Sequence, residues 1–157
     1  VHVLVPHDYG LRYNDKVNNL KIHRFLYFLP RRLQKVAYGG LLPNIKKNKL
    51  ENRVRLYLGN VRDVLPKVDI NNKFDRIVMP LPKGGENFLD LAIKYSKKNG
   101  FIHFYDFLNE KEFDKAKEKI KRNAEKAKKK IKILRTVKCG QHSPYNFRVC
   151  VDFNVLN

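Results

Sequence analysis

The chain has 157 residues, enough for one domain with a moderate core, and its 43% hydrophobic content comes in short, dispersed runs. That pattern argues against intrinsic disorder and against a membrane-spanning helix, and no stretch resembles a cleavable signal. Thirty-four Lys plus Arg against fifteen Asp plus Glu leave a net charge of +19, more than solubility requires, so a polyanion is the leading partner class. Nucleic acid comes first and an anionic membrane surface second. An AT-rich or thermophilic background that favours Lys throughout is the competing source of the excess. Cys139 and Cys150 are the only cysteines. Two are too few for a disulfide scaffold and lack the C-x-x-C spacing of a zinc site, so no metal is expected and a cytoplasmic setting fits.

In chain order, residues 1–43 contain a possible opening strand and an apolar patch at Phe25 to Leu29, without helical periodicity and without a glycine-rich strand-to-helix turn. The polar "NIKKNKLENRV" from Asn44 suits a helix end turning into a strand. "RVRLYL", residues 53–58, alternates as that strand. Gly59-Asn60 ends it, and "VRDVLP" makes a short helical turn. "FDRIVM", residues 74–79, is the next strand, broken by Pro80-Leu81-Pro82. Gly84-Gly85 supplies a flexible corner. Phe88, Leu89, Leu91, Ala92 and Tyr95 then fall at helical spacing, and "KKNG" stops that helix at Gly100.

"FIHFYDF", residues 101–107, is another apolar strand. Residues 110–130 form a helix with acids early and lysines late, as the helix dipole prefers, and a thin stripe of Phe113, Ala116, Ile120 and Ala124 or Ala127. "IKILRTVKC" and "NFRVCVDFNVL" read as two closing strands joined by the loop "GQHSPYN". The order implies an α/β fold with a mostly parallel sheet and an antiparallel C-terminal hairpin. Ligands bind such sheets at the carboxyl ends of strands. The candidate segments are therefore Gly59-Asn60-Val61, Met79 to Lys83 and Tyr105-Asp106-Phe107.

Together, "NIKKNKLENRVRLYLGNVRDVL", "FDRIVMPLPKGGENFLDLA", "NGFIHFYDF" and "SPYNFRVCVDF" resemble the C-terminal, methyl-transferring half of archaeal tRNA (guanine-N1)-methyltransferases over residues 44–157. The resemblance implies a Rossmann-like class I methyltransferase fold, S-adenosylmethionine as cofactor and tRNA as partner, in a monomer without membrane or metal. The expected activity is methyl transfer to guanine N1 next to the anticodon. It implies that Pro80, Leu81 and Pro82 sit beside the methyl donor and the target base, where prolines fix φ and leave a rigid wall for a flat base. The bland alternative is that the prolines merely end a strand.

In the same family, Asn60 stands where Asp is frequent and contacts the adenine amino group. Val61 supplies a neighbouring backbone N–H, and Met79 and Pro80 complete the cofactor side. Arg62 and Asp63 are expected to form a local pair. The family's Asp-x-Phe-x-Gly-x-Gly donor loop and the acidic ribose ligand are not recognisable, and Gly39-Gly40 is a remnant or a turn. The general base and its partner arginine lie upstream of the matched motifs, so no residue takes those roles. Residues 1–43 are therefore expected to be an atypical segment replacing or truncating the cofactor-loop region, in a chain that is a fragment or a frameshifted product. The alternatives are an inactive RNA-binding remnant and a wybutosine-pathway transferase that uses another carbon of the same cofactor.

Remaining residues have weaker assignments. His103, mid-strand, is expected to be a hydrogen-bonded core histidine. Cys139 and Cys150 flank the hairpin and are expected as buried thiols. His142 and Tyr145 could stack on RNA or form a solvated hairpin tip. Lys126, Lys128, Lys129, Lys130, Lys132 and Arg135, with Lys83 and Arg148, are expected to line one phosphate-binding surface, against the alternative of a solvated helix end.

Overall fold

The structure, a computed structural model, describes residues 2–6, 24–29, 42–67, 73–80 and 84–157, the first two stretches by their backbone. Its elements are β1 (His2–Pro6), β2 (Arg24–Leu29), helix α1 (42–47), β3 (Val54–Leu58), α2 (Val61–Val64), β4 (Phe74–Met79), α3 (Leu89–Tyr95), β5 (Ser96–Asn109), α4 (Asp114–Lys126), β6 (Ile131–Ser143) and β7 (Asn146–Val155). The strands form one seven-stranded sheet in the order β3-β2-β1-β4-β5-β7-β6. Pairings from β3 through to β5 are parallel, and β7 runs antiparallel to both β5 and β6. The expected mostly parallel sheet with a closing hairpin is what forms. The stretch that resisted reading supplies two of its central strands.

Alternation along β5 and β7 fixes where the core sits. Ile102, Phe104, Asp106 and Leu108 are buried on one face of β5, and Val149, Val151, Phe153 and Val155 extend that face on β7. α3 and α4 cover it with Leu89, Ala92, Ile93, Ala116, Ile120 and Ala124. The α4 stripe matches the expected thin face, because positions four apart stack on one side of a helix.

Three boundaries differ from expectation. The single helix over 110–130 divides into a 3-10 turn at Glu110–Glu112 and α4, with Asn109 capping the turn through its side chain. The "KKNG" segment is strand, not helix stop. Asn99 takes φ 60, and a Cβ on Gly100 would lie 2.5 Å from Ser96 Oγ and 2.9 Å from the Lys97 carbonyl, so the glycine serves a tight approach at a bulge against β4. The seven-residue loop shrinks to Pro144 and Tyr145, because β6 reaches Ser143 through three register shifts and Gly140 is a bulge residue at φ 152.

Candidate functional site

The parallel strands put the ends of β3 and β4 on one rim. Gly59 leaves β3 at φ 134, and a Cβ there would lie 2.8 Å from Val64 Cγ2, so only glycine makes the turn without strain. Asn60 follows as the N-cap of α2: its Oδ1 accepts from the Arg62 N–H at 2.9 Å. The acceptor oxygen expected to meet adenine thus already accepts one bond, and the side chain is otherwise exposed. Val61 is 7% exposed and packs into the core, while its N–H, at the first helical position, has no intrahelical acceptor.

On β4, Met79 is 2% exposed and its side chain packs in the core, so only its backbone, as the last residue of the strand, stands at the rim. Pro80 follows at half-burial. Leu81, Pro82 and Lys83 lie outside the described residues, as do Gly39 and Gly40. The chain re-emerges at Gly84, in the left-handed region at φ 78, followed by buried Gly85, where a Cβ would lie 3.5 Å from the Phe104 ring. Gly84 therefore makes the expected corner.

Arg62 does not pair with Asp63. Its guanidinium reaches across to α3, donating from Nη1 to Asp90 Oδ2 at 3.0 Å and from Nη2 to Asp90 Oδ1 at 2.8 Å, with a further hydrogen bond from Nη2 to the Asn87 carbonyl. It also lies over the Phe88 ring, 5.6 Å from the centroid. Burial alone would raise the Asp90 carboxyl, but the Arg62 bonds and backbone N–H groups outweigh it and hold it below the ordinary carboxylate range. On the other flank, Lys119 donates to Asp106 Oδ2 at 2.7 Å and stands 4.0 Å from Glu86. Asp106 is 4% exposed, and burial raises its carboxyl against the pull of Lys119. Among the described residues, the buried Glu86 Oε2 has no hydrogen-bond partner. Between the two clamps runs a cleft of about 510 Å³ that also takes in Arg122, Asn123 and Lys126.

The end of β5 carries a third group of candidates. Met79 pairs with Phe104, but β5 continues to Asn109, so the β5-β7-β6 ribbon rises past the proline corner by about 16 Å at ~3.3 Å per residue. On this ribbon His142 stacks on Phe107 with centroids 4.3 Å apart, in register with Arg148. Tyr145, 71% exposed, caps the tip at φ 62, its carbonyl held by the Glu110 N–H at 3.0 Å. A bulky residue in the left-handed region is strained, which marks this tip for attention. Lys128, Lys129 and Lys130 are not near it. They precede Ile131 at the opposite end of β6, about 40 Å away along the strand at ~3.3 Å per residue. Lys126 lines the cleft, and Arg135 donates to Asp152. The expected single basic surface is therefore several separate ones.

His103 has the structural role expected of it. Arg76 Nη1 lies 2.7 Å from its Nε2 and Asp152 Oδ1 lies 2.6 Å from its Nδ1. A guanidinium can only donate, so Nε2 accepts and the ring proton sits on Nδ1 facing the carboxylate. Cys150 Sγ lies 3.3 Å from the same oxygen, and the His103, Cys150 and Asp152 ligand atoms fall within 4.8 Å of one another. A metal on Nδ1 would move the proton to Nε2, against Arg76, and would compete with Arg135 for Asp152. These neighbours suit a hydrogen-bonded strand brace, not a cation. Burial pushes the Cys150 thiol up, as expected of an inert buried cysteine. Cys139 is exposed, contrary to expectation, because it lies on the edge strand.

A seven-stranded, mostly parallel sheet with its penultimate strand reversed, and an Asn-Val turn on the same rim as a proline exit, define a Rossmann-like methyltransferase fold. The TRM5/TYW2 methyltransferase domain family matches residues 32–134, and the chain belongs to that family. The tRNA (guanine(37)-N(1))-methyltransferase Trm5b of Pyrococcus abyssi is 34% identical over 120 residues, 76% of this chain and 34% of that protein. The tRNA(Phe) (4-demethylwyosine(37)-C(7)) aminocarboxypropyltransferase of Methanocaldococcus jannaschii is 32% identical over 117 residues, 74% of this chain and 45% of that one. Among solved structures, Pyrococcus abyssi Trm5b superposes with a TM-score of 0.79 at 28% identity, covering 99% of this chain and 44% of the other. M. jannaschii TYW2 in complex with AdoMet gives 0.76 at 26% identity, covering 99% and 68%. The chain thus spans about a third of the length of the guanine methyltransferase. Among the described residues, no helix is long and apolar enough to cross a membrane.

Proposed function

We propose that the chain is the donor-binding and transfer domain of an S-adenosylmethionine-dependent tRNA methyltransferase that acts at guanine N1 beside the anticodon. The observation that supports this most is the shared rim on which the Asn60–Val61 turn and the Pro80 exit stand at the carboxyl ends of β3 and β4. When bound, the cofactor supplies an electrophilic carbon on a sulfonium. The described residues fit its adenine end: the exposed Asn60 amide and the Val61 N–H at the first turn of α2. The ribose and methionine ends would fall to segments outside the described residues, where residues 1–43 depart from the family's usual donor loop.

Pro80, with Leu81 and Pro82, would wall the slot for the base and hold its ring edge toward the donor. Arg148, Lys83 and the separate Lys128–Lys130 group would meet phosphates, and His142 and Tyr145 would stack on bases. Capture of the N1 proton is assigned to no residue of this chain. The 32% identity to an aminocarboxypropyltransferase supports a second reading, transfer of the larger group from the same cofactor to a wyosine-type base.

Incubation of the protein with S-adenosylmethionine and unmodified tRNA, followed by nucleoside mass analysis, tests both. A one-carbon gain on the guanosine beside the anticodon supports the first reading. A gain of the aminocarboxypropyl group on a wyosine precursor supports the second. Retained tRNA affinity without any donor binding would overturn both in favour of an RNA-binding remnant.

A further inference from the structure

We propose that Arg62 is a positioning residue that couples the donor-side turn to the segment leaving the proline corner. The inference rests on reading the Asn60–Val61 turn as the cofactor's adenine end. One residue holds both places. The Arg62 N–H fixes the Asn60 side chain at 2.9 Å, while its guanidinium, two bonds to Asp90 and one to the Asn87 carbonyl, grips residues 87–90. Those residues lie at the start of α3, on the segment that resumes at Gly84 after the Pro80 exit.

The magnitude of the ion pair argues for geometry over stability. Arg62 and Asp90 side chains are 43% and 45% exposed, and an exposed pair of that kind contributes about 0.2–1 kcal/mol. So small a contribution leaves the fork's planarity as its use: two carboxylate oxygens and a carbonyl are met at once, which a lysine cannot do. The segment it grips otherwise begins with two glycines, Gly84 at positive φ, and lacks side-chain capping at Gly84 and Phe88. Ligand that steadies Asn60 therefore steadies residues 84–90 through Arg62.

Hydrogen–deuterium exchange across residues 84–91 of the whole chain, with and without saturating S-adenosylhomocysteine, tests the coupling. In the wild-type chain the ligand is expected to slow exchange there by about tenfold. In Arg62→Gln the ligand still binds within about threefold, since the cap uses a backbone N–H, but the protection of 84–91 is lost. Arg62→Lys restores part of it. Equal protection in Arg62→Gln, or wild-type binding without protection of 84–91, overturns the coupling alone. Absence of ligand binding to the wild-type chain overturns the donor-site reading beneath it. Should Arg62→Gln fail to fold, Asp90→Asn is read in the same way: lost protection upholds the proposal and full protection overturns it.

Discussion

Replacing Asn60 by Asp should tighten the adenine end of the site. In the wild-type chain Oδ1 is committed to the Arg62 N–H at 2.9 Å and the exposed side chain offers an NH2. Under the proposed placement the adenine amino group also donates, and the one acceptor oxygen it can meet is already shared with the cap. A carboxylate keeps one oxygen on the cap and turns the second outward as an acceptor. A hydrogen bond to a charged group contributes about 1.5–3 kcal/mol; with the group exposed, the low end applies, and ~1.4 kcal/mol corresponds to about a tenfold lower Kd.

Asn and Asp are equivalent N-caps, so stability should shift by less than about 0.5 kcal/mol. Calorimetric titration with S-adenosylhomocysteine and with adenosine should show the same gain, because the new contact is on the ring. The inosine counterpart, which lacks the amino group, should show none. Unchanged or weaker binding of both ligands in a stably folded Asn60→Asp protein would refute the placement of adenine at this turn.

Other outcomes follow from the same geometry. Tyr145→Gly should leave stability unchanged or raised by about 1 kcal/mol, since glycine relieves φ 62, while tRNA binding weakens by about 1–3 kcal/mol if the ring stacks on a base; parallel melts and filter binding read both. Gly100→Ala should cost roughly 1–3 kcal/mol in denaturant unfolding, because its Cβ meets the Lys97 and Phe74 carbonyls at 2.9 and 3.0 Å and backbone cannot yield cheaply. For Asp106, burial raises the folded carboxyl above its unfolded value, so the folded state binds the extra proton and stability from this group falls as pH rises from the ordinary carboxylate range. Asp106→Asn should therefore match wild type at acid pH and gain on it toward neutrality, as melts across pH would show. Asp152 has the opposite sign: burial is outweighed by Arg135 and His103, its folded value is lowered, and its contribution is present above the unfolded value and lost on acidification.

Much of this arrangement was legible in the chain. Alternation marked β3, short apolar runs marked β4 and β5, acid-to-base polarity marked α4, and the Pro80 break marked the rim. The two central strands were harder to see, because parallel strands enclosed on both sides need no alternation, and "HVLVP" and "RFLYFL" offer only short apolar runs. Gly100 and Gly140 read as stops, yet both serve bulges within strands, a distinction that depends on partners distant in sequence. Arg62 was misassigned for the same reason. Asp63 is adjacent, whereas Asp90 is brought close only by folding; the acid in the first turn of "LDLAIKY" was the available signal.

The far rim of the sheet has its own consequence. Among the described residues β6 is an edge strand, paired on one side only, the feature by which sheets recruit foreign strands and form fibrils. Its three slips in register, with Lys132, Arg135 and Lys138 spaced along it, leave no straight uncharged run for another strand to copy. These cations thus guard the protein against self-templating, and a variant that removed them would trade solubility before it traded fold.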